Sequence, residues 1–389
     1  MVLVNYIKKH YWSNGLIMVF ILSSITPIIT AYNIEVPLFS YNGSLFGATL
    51  YIVTACIMIL YGYNTLKRNK SRRVCGVGDK MRVTLNKRYK YVMCGFALFG
   101  AVVAYKTLSA VSDVYTLQNM ITEGEDVSEL RYEMGSGGLG GIVKMFAAMP
   151  LCVFLINSGI YFFTEYEHNS LHNLKVVTIV SLVCVLFKVA IYFDRLSLLA
   201  LILVFGYHFF YNRSLNKVVK IFVIGGLLFG AASITLLRMG DTSLLQFLGA
   251  YFNLGVINLQ IVIDKQEHFN ILPTETFLAP FSFVFKFFGL RFHSVSACDY
   301  VWNPAQSFYG FFYVDCQYWG LILLPLLGRS IKLIEINKFR KPFCCCFYFI
   351  AMYCLFSFCT IPIIRSVEFC LMIVTCILVT RFLINFKTS

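Results

Sequence analysis

The sequence predicts an all-α polytopic membrane protein with about ten transmembrane helices. Hydrophobic residues make up 58% of the 389 residues and charged residues only 13%, with a mean hydropathy of +0.72. A soluble domain carries about twice that charged fraction. The apolar residues also form runs long enough to cross a bilayer, and the basic residues collect in short loops beside those runs, as the positive-inside rule requires.

Ten apolar runs of roughly 17–25 residues can be placed along the chain. The first follows Lys8 and Lys9 without a cleavage motif, so we expect it to remain as a span. Between the fifth and sixth runs, Asp194-Arg195 alone must make the turn. The ten runs lie near residues 15–32, 44–63, 91–110, 142–164, 176–193, 196–211, 218–237, 308–328, 343–361 and 366–384.

Charge fixes the predicted side of each loop. The loop 64–90 holds many Lys and Arg against the single acid Asp79, whereas the loop 111–141 is acidic with the single base Arg131. The first is therefore predicted to be cytoplasmic and the second to lie outside, and alternation then puts both termini in the cytoplasm. The net charge of +14 follows from this topology, and no nucleic-acid partner is expected.

The predicted organisation has three parts: helices 1–7 within residues 1–237, a large outer loop over 238–307, and helices 8–10 within 308–389. Two apolar stretches of the loop, Ser243 to Ile263 and Thr276 to Leu290, suit interfacial or re-entrant helices. Polar residues recur at helical spacing along the first stretch: Gln246, Gly249, Asn253 and Gln260. We expect the active site in this loop.

Five arginines map to the outer loops or the outer ends of spans, where lysine is scarce. A guanidinium forms two parallel charge-assisted bonds with a phosphate, so this set suits a membrane-anchored phosphate or diphosphate. The alternative is that each arginine only snorkels or forms a salt bridge. The five are Arg131, Arg195, Arg238, Arg291 and Arg365.

Arg195 is predicted to begin the sixth span, where the helix dipole disfavours a positive charge. Asp194 can neutralise it, or a bound anion can, and the sequence leaves both readings open. The glycine-rich run 135–141 matches G-x-G-x-x-G, but no strand precedes it, so a dinucleotide site is excluded. The run precedes a span near Arg131, which suits either anion binding at a helix start or a hinge.

His293 is the candidate general base, because it lies between Arg291 and Asp299, and an imidazole accepts a proton near neutral pH. The other outer candidates are His268, Glu275, Asp299 and Asp315. The chain has no G-x-S-x-G, D-x-D or H-E-x-x-H motif, so neither a metal nor a cofactor is expected. Of the 14 cysteines, Cys298 and Cys316 lie on the outer side, and the sequence leaves open whether they pair.

The chain resembles the O-antigen and capsular oligosaccharide repeat-unit polymerases, the Wzy family. The ten-span plan with one large outer loop carries the resemblance, together with the stretches that begin at Asp194-Arg195-Leu-Ser, at Asn303-Pro-Ala-Gln and at Leu326-Leu-Gly-Arg. The family's R-x₁₀-G pattern matches Arg238 to Gly249. Arg131 departs from it, because it precedes Gly141 by ten residues and not eleven.

The resemblance implies metal-independent glycosyl transfer at the periplasmic face of the bacterial inner membrane. Undecaprenyl-diphosphate-linked oligosaccharides would be donor and acceptor, and a chain-length regulator in the membrane would be a partner. Arg195, Arg238 and His293 would be catalytic. Five further residues would bind substrate: Arg131, Arg291, Arg365, Asn303 and Asp315.

Other readings stay open at this point. An O-antigen ligase needs the same donor chemistry and differs in its acceptor. A lipid-linked oligosaccharide flippase would be expected to have internal repeats and charges at mid-membrane, and here Lys188 is the clearest deep charge. A membrane acyltransferase would need an embedded histidine with an acidic partner, which is not evident.

Overall fold

The computed structural model describes part of the chain: residues 14–33, 43–66, 81–109, 145–166, 168–192, 194–211, 244–265, 274–281, 307–359 and 362–387, with the isolated positions 143, 225, 226 and 230. These residues divide into two compact units. Unit 1 comprises Met1–Asp79, Leu245–Cys344 and Ala351–Cys370, and unit 2 comprises Lys80–Leu244, Cys345–Ile350 and Leu371–Ser389.

The described residues are predominantly helical. In chain order the elements are α1 Gly15–Asn33, α2 Phe46–Thr65, β1 Met81–Leu85, α3 Tyr89–Ser109, α4 Met149–Phe163, β2 Thr164–Tyr166, α5 His168–Tyr192, α6 Arg195–Tyr211, α7 Leu244–Lys265, α8 Thr274–Phe277, α9 Phe308–Cys316, α10 Leu324–Asn337, α11 Pro342–Phe356, α12 Val367–Leu378 and β3 Ile384–Lys387. Short 3₁₀ segments cover Met145–Ala148, Ala279–Phe281, Trp319–Leu323, Ser357–Cys359 and Ile363–Arg365.

Four helices in the described ranges are long and apolar enough to cross a membrane: Gly15–Asn33, Phe46–Thr65, Met145–Phe163 and Ser170–Tyr192. Shorter apolar helices cover Leu196–Phe209 and Pro342–Phe356. The structure is therefore consistent with an all-α membrane protein. The number of ten spans and the large outer loop stay predictions.

Within unit 1, α2 and α10 pack closely through glycine. A Cβ added to Gly62 would overlap the carbonyl oxygen of Pro325, and one added to Gly328 would overlap that of Ile59. Small residues at a helix contact allow two backbones to approach in this way, which is the usual packing of membrane helices. The Gly328 of the Leu326-Leu-Gly-Arg stretch is therefore a packing residue.

A buried polar cluster joins three helix ends of unit 1. Glu335 near the end of α10 accepts a hydrogen bond from the Leu16 amide at the start of α1 (3.4 Å). The Tyr63 hydroxyl near the end of α2 lies 3.3 Å from Glu335 Oε2 and 2.9 Å from Asn14 Oδ1. Alternation of the predicted spans puts these same three helix ends on the cytoplasmic side.

Unit 2 is built around α4, most of whose side chains are buried. Asn157 is its polar centre: its Oδ1 accepts from the Tyr89 hydroxyl of α3 (2.7 Å), and its Nδ2 donates to Leu174 O (3.0 Å) and Thr178 Oγ1 (2.5 Å) of α5. A buried side-chain amide that has found partners ties three helices together, because leaving it unsatisfied would be costly.

A three-stranded sheet in the order β2-β1-β3 joins distant parts of unit 2. Strand β1 pairs in parallel with β2, with Met81 opposite Thr164, and antiparallel with β3, with Leu85 opposite Ile384. The sheet gathers the start of α3 and the chain that follows α4 and α12 at one end of the unit. The predicted alternation requires these three segments to share a side.

The structure departs from the predicted elements in three places. The span predicted near 308–328 is interrupted, because α9 ends at Cys316 and Gln317 has a positive φ of 45°. The residues 329–341, predicted as a loop, continue α10 to Asn337. The strands were not predicted, and the segment predicted as span 366–384 ends in a turn of π-helix, Val379–Leu383, that leads into β3.

Candidate functional site

The turn between α5 and α6 is held by Asp194, which caps α6. Its Oδ1 accepts from the amides of Leu196 (3.1 Å) and Ser197 (3.3 Å), and its Oδ2 accepts from Ser197 Oγ (2.6 Å). Its Oδ2 also lies 3.0 Å from Nζ of Lys188 in the last part of α5. Asp-Arg-Leu-Ser is thus a helix start of the usual kind, in which an Asx side chain satisfies free amides of the first turn.

The charge of Asp194 is balanced by Lys188. Burial would raise the pKa of the Asp194 carboxyl, but the nearby Lys188 ammonium and the Ser197 hydrogen bonds outweigh it and hold that pKa well below its usual range. The carboxylate is therefore ionised and already paired at neutral pH. Asp194 therefore has a second cation, Lys188, beside it, in addition to the Arg195 that follows it in sequence.

Arg195 is the first residue of α6, so its backbone is at the positive end of the helix dipole. Asp194 and Lys188 together contribute no net charge, and the arginine adds one unit of positive charge to roughly half a unit from the dipole. The turn is therefore an electropositive location. It can attract an anion, and phosphate is a suitable one for arginine.

Arg365 of unit 1 lies against an aromatic ring. Its guanidinium carbon is 3.3 Å from the centroid of the Phe311 ring in α9, which is a close cation–π arrangement. Arg365 is the last residue of the 3₁₀ turn Ile363–Arg365. At the start of the turn, Ser357 Oγ accepts a hydrogen bond from the Ile363 amide (3.1 Å), and at its end Pro362 O accepts one from the Arg365 amide (3.0 Å). The arginine is thus presented from a short and well-braced turn.

Asp315 is fully buried in α9. Its Oδ2 accepts from both the amide and the hydroxyl of Thr276, each at 2.7 Å. Thr276 belongs to α8, in the stretch predicted to dip against protein, and it is itself buried. These contacts anchor α8 to α9, and the predicted role of Asp315 in binding substrate stays a prediction.

The polar stripe predicted along α7 is partly a packing feature. Gln260 is buried, and its Oε1 accepts from the Ala48 amide in the first turn of α2 (2.7 Å), while its Nε2 donates to Asp264 Oδ1 (2.8 Å). Asn253 is buried as well. Ser307 caps α9 by accepting from the Gly310 amide and also donates to Gly255 O (3.2 Å), so α7 supports α9 at its first turn.

The remaining predicted site residues lie outside the residues that the structure describes: Arg131, Arg238, Arg291, His293 and Asn303. The same holds for the glycine run 135–141 and for Cys298. Three predicted site residues can therefore be placed, Arg195 in unit 2 and Asp315 and Arg365 in unit 1. Across the described ranges, no three His, Cys, Asp or Glu side chains come together as a metal site.

Comparison of the chain with protein-family models, with curated proteins and with solved structures yields no match. Its function is inferred from its own residues.

Sequence reasoning missed the ion pair between Lys188 and Asp194. Lys188 stood out as a deep charge, and the acid six residues further on was the signal, because one more helical turn and a tight reversal return the chain to that lysine. The pairing of Glu335 with Lys338 (3.8 Å, both side chains buried) was missed as well, although an i, i+3 spacing of opposite charges predicts it.

Proposed function

We propose that the chain is a polysaccharide polymerase of the bacterial inner membrane. It would join undecaprenyl-diphosphate-linked oligosaccharide repeat units by glycosyl transfer at the periplasmic face, in O-antigen or capsule synthesis. The observation that carries the proposal is the charge arrangement at the start of α6. Lys188 pairs with Asp194 at 3.0 Å. Arg195, the first residue of α6, therefore gives the turn one more cation than acid, and a diphosphate is a fitting partner for such a helix start.

The contacts at the helix ends support the topology that this function needs. The sheet of unit 2 and the Glu335 cluster of unit 1 each gather segments that the positive-inside rule assigns to the cytoplasm. With that assignment, the turn that holds Arg195 and the turn that holds Arg365 face the periplasm. The chain would then have ten spans, cytoplasmic termini and a large periplasmic loop over 238–307.

In the proposed mechanism, Arg195 and Arg238 hold the diphosphate of the donor glycan. Their charge stabilises the negative charge that develops on the diphosphate as it leaves, and this stabilisation is greatest in the transition state. His293 takes the proton of the attacking hydroxyl of the acceptor repeat unit. No step needs a metal. Arg365 with Phe311, Arg131, Arg291 and Asn303 would contact sugar or phosphate.

The contacts of Lys188 favour this function over a flippase. A transporter that carries a charged substrate uses intramembrane charges that face its pathway. Lys188 instead makes an ion pair within a single helical hairpin, with 7% of its side chain exposed. It therefore has a structural role in holding the α5–α6 turn.

Complementation of a polymerase-deleted strain tests the proposal. A polymerase-deleted strain still exports and ligates, so it caps its lipid A core with one repeat unit, and this chain should restore the ladder of longer glycans. In the source strain, a clean deletion should likewise leave single capped repeats. Loss of every surface repeat unit in that deletion would indicate a flippase or a ligase instead.

A further inference from the structure

Unit 2 contains a cavity of about 270 Å³ between α4, α5 and α6. Most of its lining is apolar, including Phe154 and Phe162 of α4 and Val204 and Phe205 of α6. A dry apolar cavity of about 150 Å³ already binds benzene. This cavity is large enough for a length of hydrocarbon chain.

The α5 wall of the cavity continues into a surface that faces outward. Ile179 lines the cavity and is 62% exposed, and Val183 (59%) and Leu186 (42%) follow it along the same helix face. The α5 segment Ser170–Tyr192 is one of the helices apolar enough to cross a membrane. An exposed apolar stripe on such a helix is the surface that lipid chains contact, so the cavity opens onto the bilayer.

Two basic side chains lie at one end of the cavity. Lys175 is exposed and lines the cavity. It lies seven residues, or about 10 Å, along α5 from the start of that helix. His208 lines it from the last turn of α6 and packs on the Phe162 ring at 5.2 Å between centroids. These residues are at the end of the α5–α6 hairpin away from Asp194. A lysine stem can follow the apolar wall while its ammonium reaches the level of lipid head groups.

We propose that this cavity is a binding site for an anionic phospholipid of the bilayer. One acyl chain occupies the space between Ile179, Phe162 and Val204, and the acidic head group contacts Lys175 and His208. The charge of Lys175 selects the head group, His208 adds a polar ring at the same end, and the apolar lining with its outward-facing stripe selects a lipid over a soluble anion. The site is separate from the one proposed for glycosyl transfer, and it stands whether or not that function is correct.

Native mass spectrometry of the purified full-length chain tests this site. The protein is titrated with phosphatidylglycerol or with phosphatidylcholine of the same acyl chains. Wild type should bind phosphatidylglycerol more tightly, and Lys175→Gln should weaken that binding about fivefold, the value of one lysine near an anionic surface. Ile179→Trp, a substitution at the exposed mouth, should weaken the binding of both lipids.

Lys87→Gln is the matched control. Lys87 belongs to the same unit, is exposed, and lies beside the sheet on the same predicted side, but it does not line the cavity. The Lys87→Gln variant should bind both lipids as tightly as wild type does, and all three variants should have the melting temperature of wild type. Equal affinity for the two lipids in wild type, or an equal loss in Lys87→Gln, would overturn the proposal. Preferential binding of undecaprenyl phosphate with no measurable phosphatidylglycerol binding would overturn it too, because the occupant would then be the substrate lipid.

Discussion

Lys188 Nζ lies 3.0 Å from Oδ2 of Asp194, with 7% and 18% of the two side chains exposed. The pair closes the α5–α6 hairpin, because Lys188 lies in the last part of α5 and Asp194 caps α6. It also sets the charge balance of the turn, because Lys188 and Arg195 are two cations and Asp194 is a single acid.

Removing one member of this pair should destabilise the hairpin. A buried charge left without its partner costs about 3–5 kcal/mol, so Lys188→Met and Asp194→Asn should each lower the melting temperature of the purified protein. The double variant Lys188→Met/Asp194→Asn should melt above either single variant, because no charge remains unpaired. Additive losses in the double variant would contradict the pairing.

The proposed function predicts that Arg195→Lys and Arg238→Lys shorten or abolish the glycan ladder. Lysine keeps the charge but cannot grip a diphosphate with two parallel bonds. The loss of a contact made mainly in the transition state costs about 2–4 kcal/mol, or roughly 30- to 1000-fold in rate. Ladder length on gels is the measurement, with membrane level checked by immunoblot.

Alanine at either arginine should be at least as severe as lysine. Lys265→Ala is the control, because Lys265 is a point charge that is also predicted to lie outside, and it should leave the ladder unchanged. If Arg195→Ala and Arg238→Ala both leave chain length and yield untouched, the two arginines do not bind the diphosphate.

Asp315 and Thr276 should behave as a structural pair. The carboxylate accepts two hydrogen bonds from Thr276, and a hydrogen bond to a charged group contributes about 1.5–3 kcal/mol. Asp315→Asn should lower the melting temperature, Thr276→Val should lower it less, and the double variant should lose less than the sum. If Asp315 binds substrate, Asp315→Asn would abolish the ladder in a protein of normal stability, while Thr276→Val would have no effect.

The buried pair of Glu335 and Lys338 should make the stability of the protein depend on pH in an unusual way. Burial raises the pKa of the Glu335 carboxyl, against the opposing effect of Lys338, and burial lowers the pKa of the Lys338 ammonium to about 8. Between pH 8 and the ordinary lysine range, the unfolded chain binds more protons than the folded one, so the contribution of Lys338 to stability rises with pH. The raised pKa of Glu335 makes its contribution fall as pH rises from the acid side. The pair should therefore contribute least near neutral pH.

Melting temperatures at pH 7 and pH 9.5 measure this effect, with Glu335→Gln/Lys338→Met as the reference. The free energy of unfolding of wild type relative to that of the reference variant should be about 1–2 kcal/mol higher at pH 9.5 than at pH 7. Because the other titrating groups are the same in both proteins, their effect on stability cancels in this comparison. A difference that stays constant or moves against wild type would mean that the Lys338 ammonium is not desolvated.

Gly328→Ala should disrupt unit 1, because the new methyl group would overlap the Ile59 carbonyl oxygen of α2. Overpacking of this kind costs about 1–3 kcal/mol, and the melting temperature should fall. Gly95→Ala is a matched control on α3, where an added Cβ meets nothing within 4 Å. Alanine there should raise stability by about 1 kcal/mol, the difference in helix propensity. If alanine changed the melting temperature equally at both positions, contact with the α2 backbone would not be the reason for glycine at position 328.

The fold class and several helices could be predicted from hydropathy, because burial in a bilayer demands long apolar runs. The runs near 15–32 and 44–63 became Gly15–Asn33 and Phe46–Thr65. The break at Gln317 was not predicted, because a positive φ is uncommon for a residue other than glycine and no proline marks the position. Strand β1, Met-Arg-Val-Thr-Leu, does alternate between buried and more exposed positions, but its partners are three- and four-residue segments far along the chain.

For the candidate site, sequence predicts the residue types but not how their side chains meet. At Asp194 and Arg195 it could not show that Lys188 reaches back to the turn and adds a second cation there. Asp315 was predicted as an outer acid at the end of the Asn303–Asp315 stretch that carries the resemblance. The sequence could not predict that its carboxylate accepts two hydrogen bonds from Thr276, because the two residues lie far apart in the chain.

The sheet has a consequence for the biogenesis of the protein. Strand β1 begins at Met81 and its partner β3 ends at Lys387, so all the helices between them must be synthesised before the two strands can meet. Strands cannot pair across a bilayer, so an intervening helix inserted in the wrong orientation would leave β3 on the other side of the membrane. Pairing of β1 with β3 therefore occurs only in chains whose intervening helices have inserted correctly, and the sheet then stabilises that arrangement.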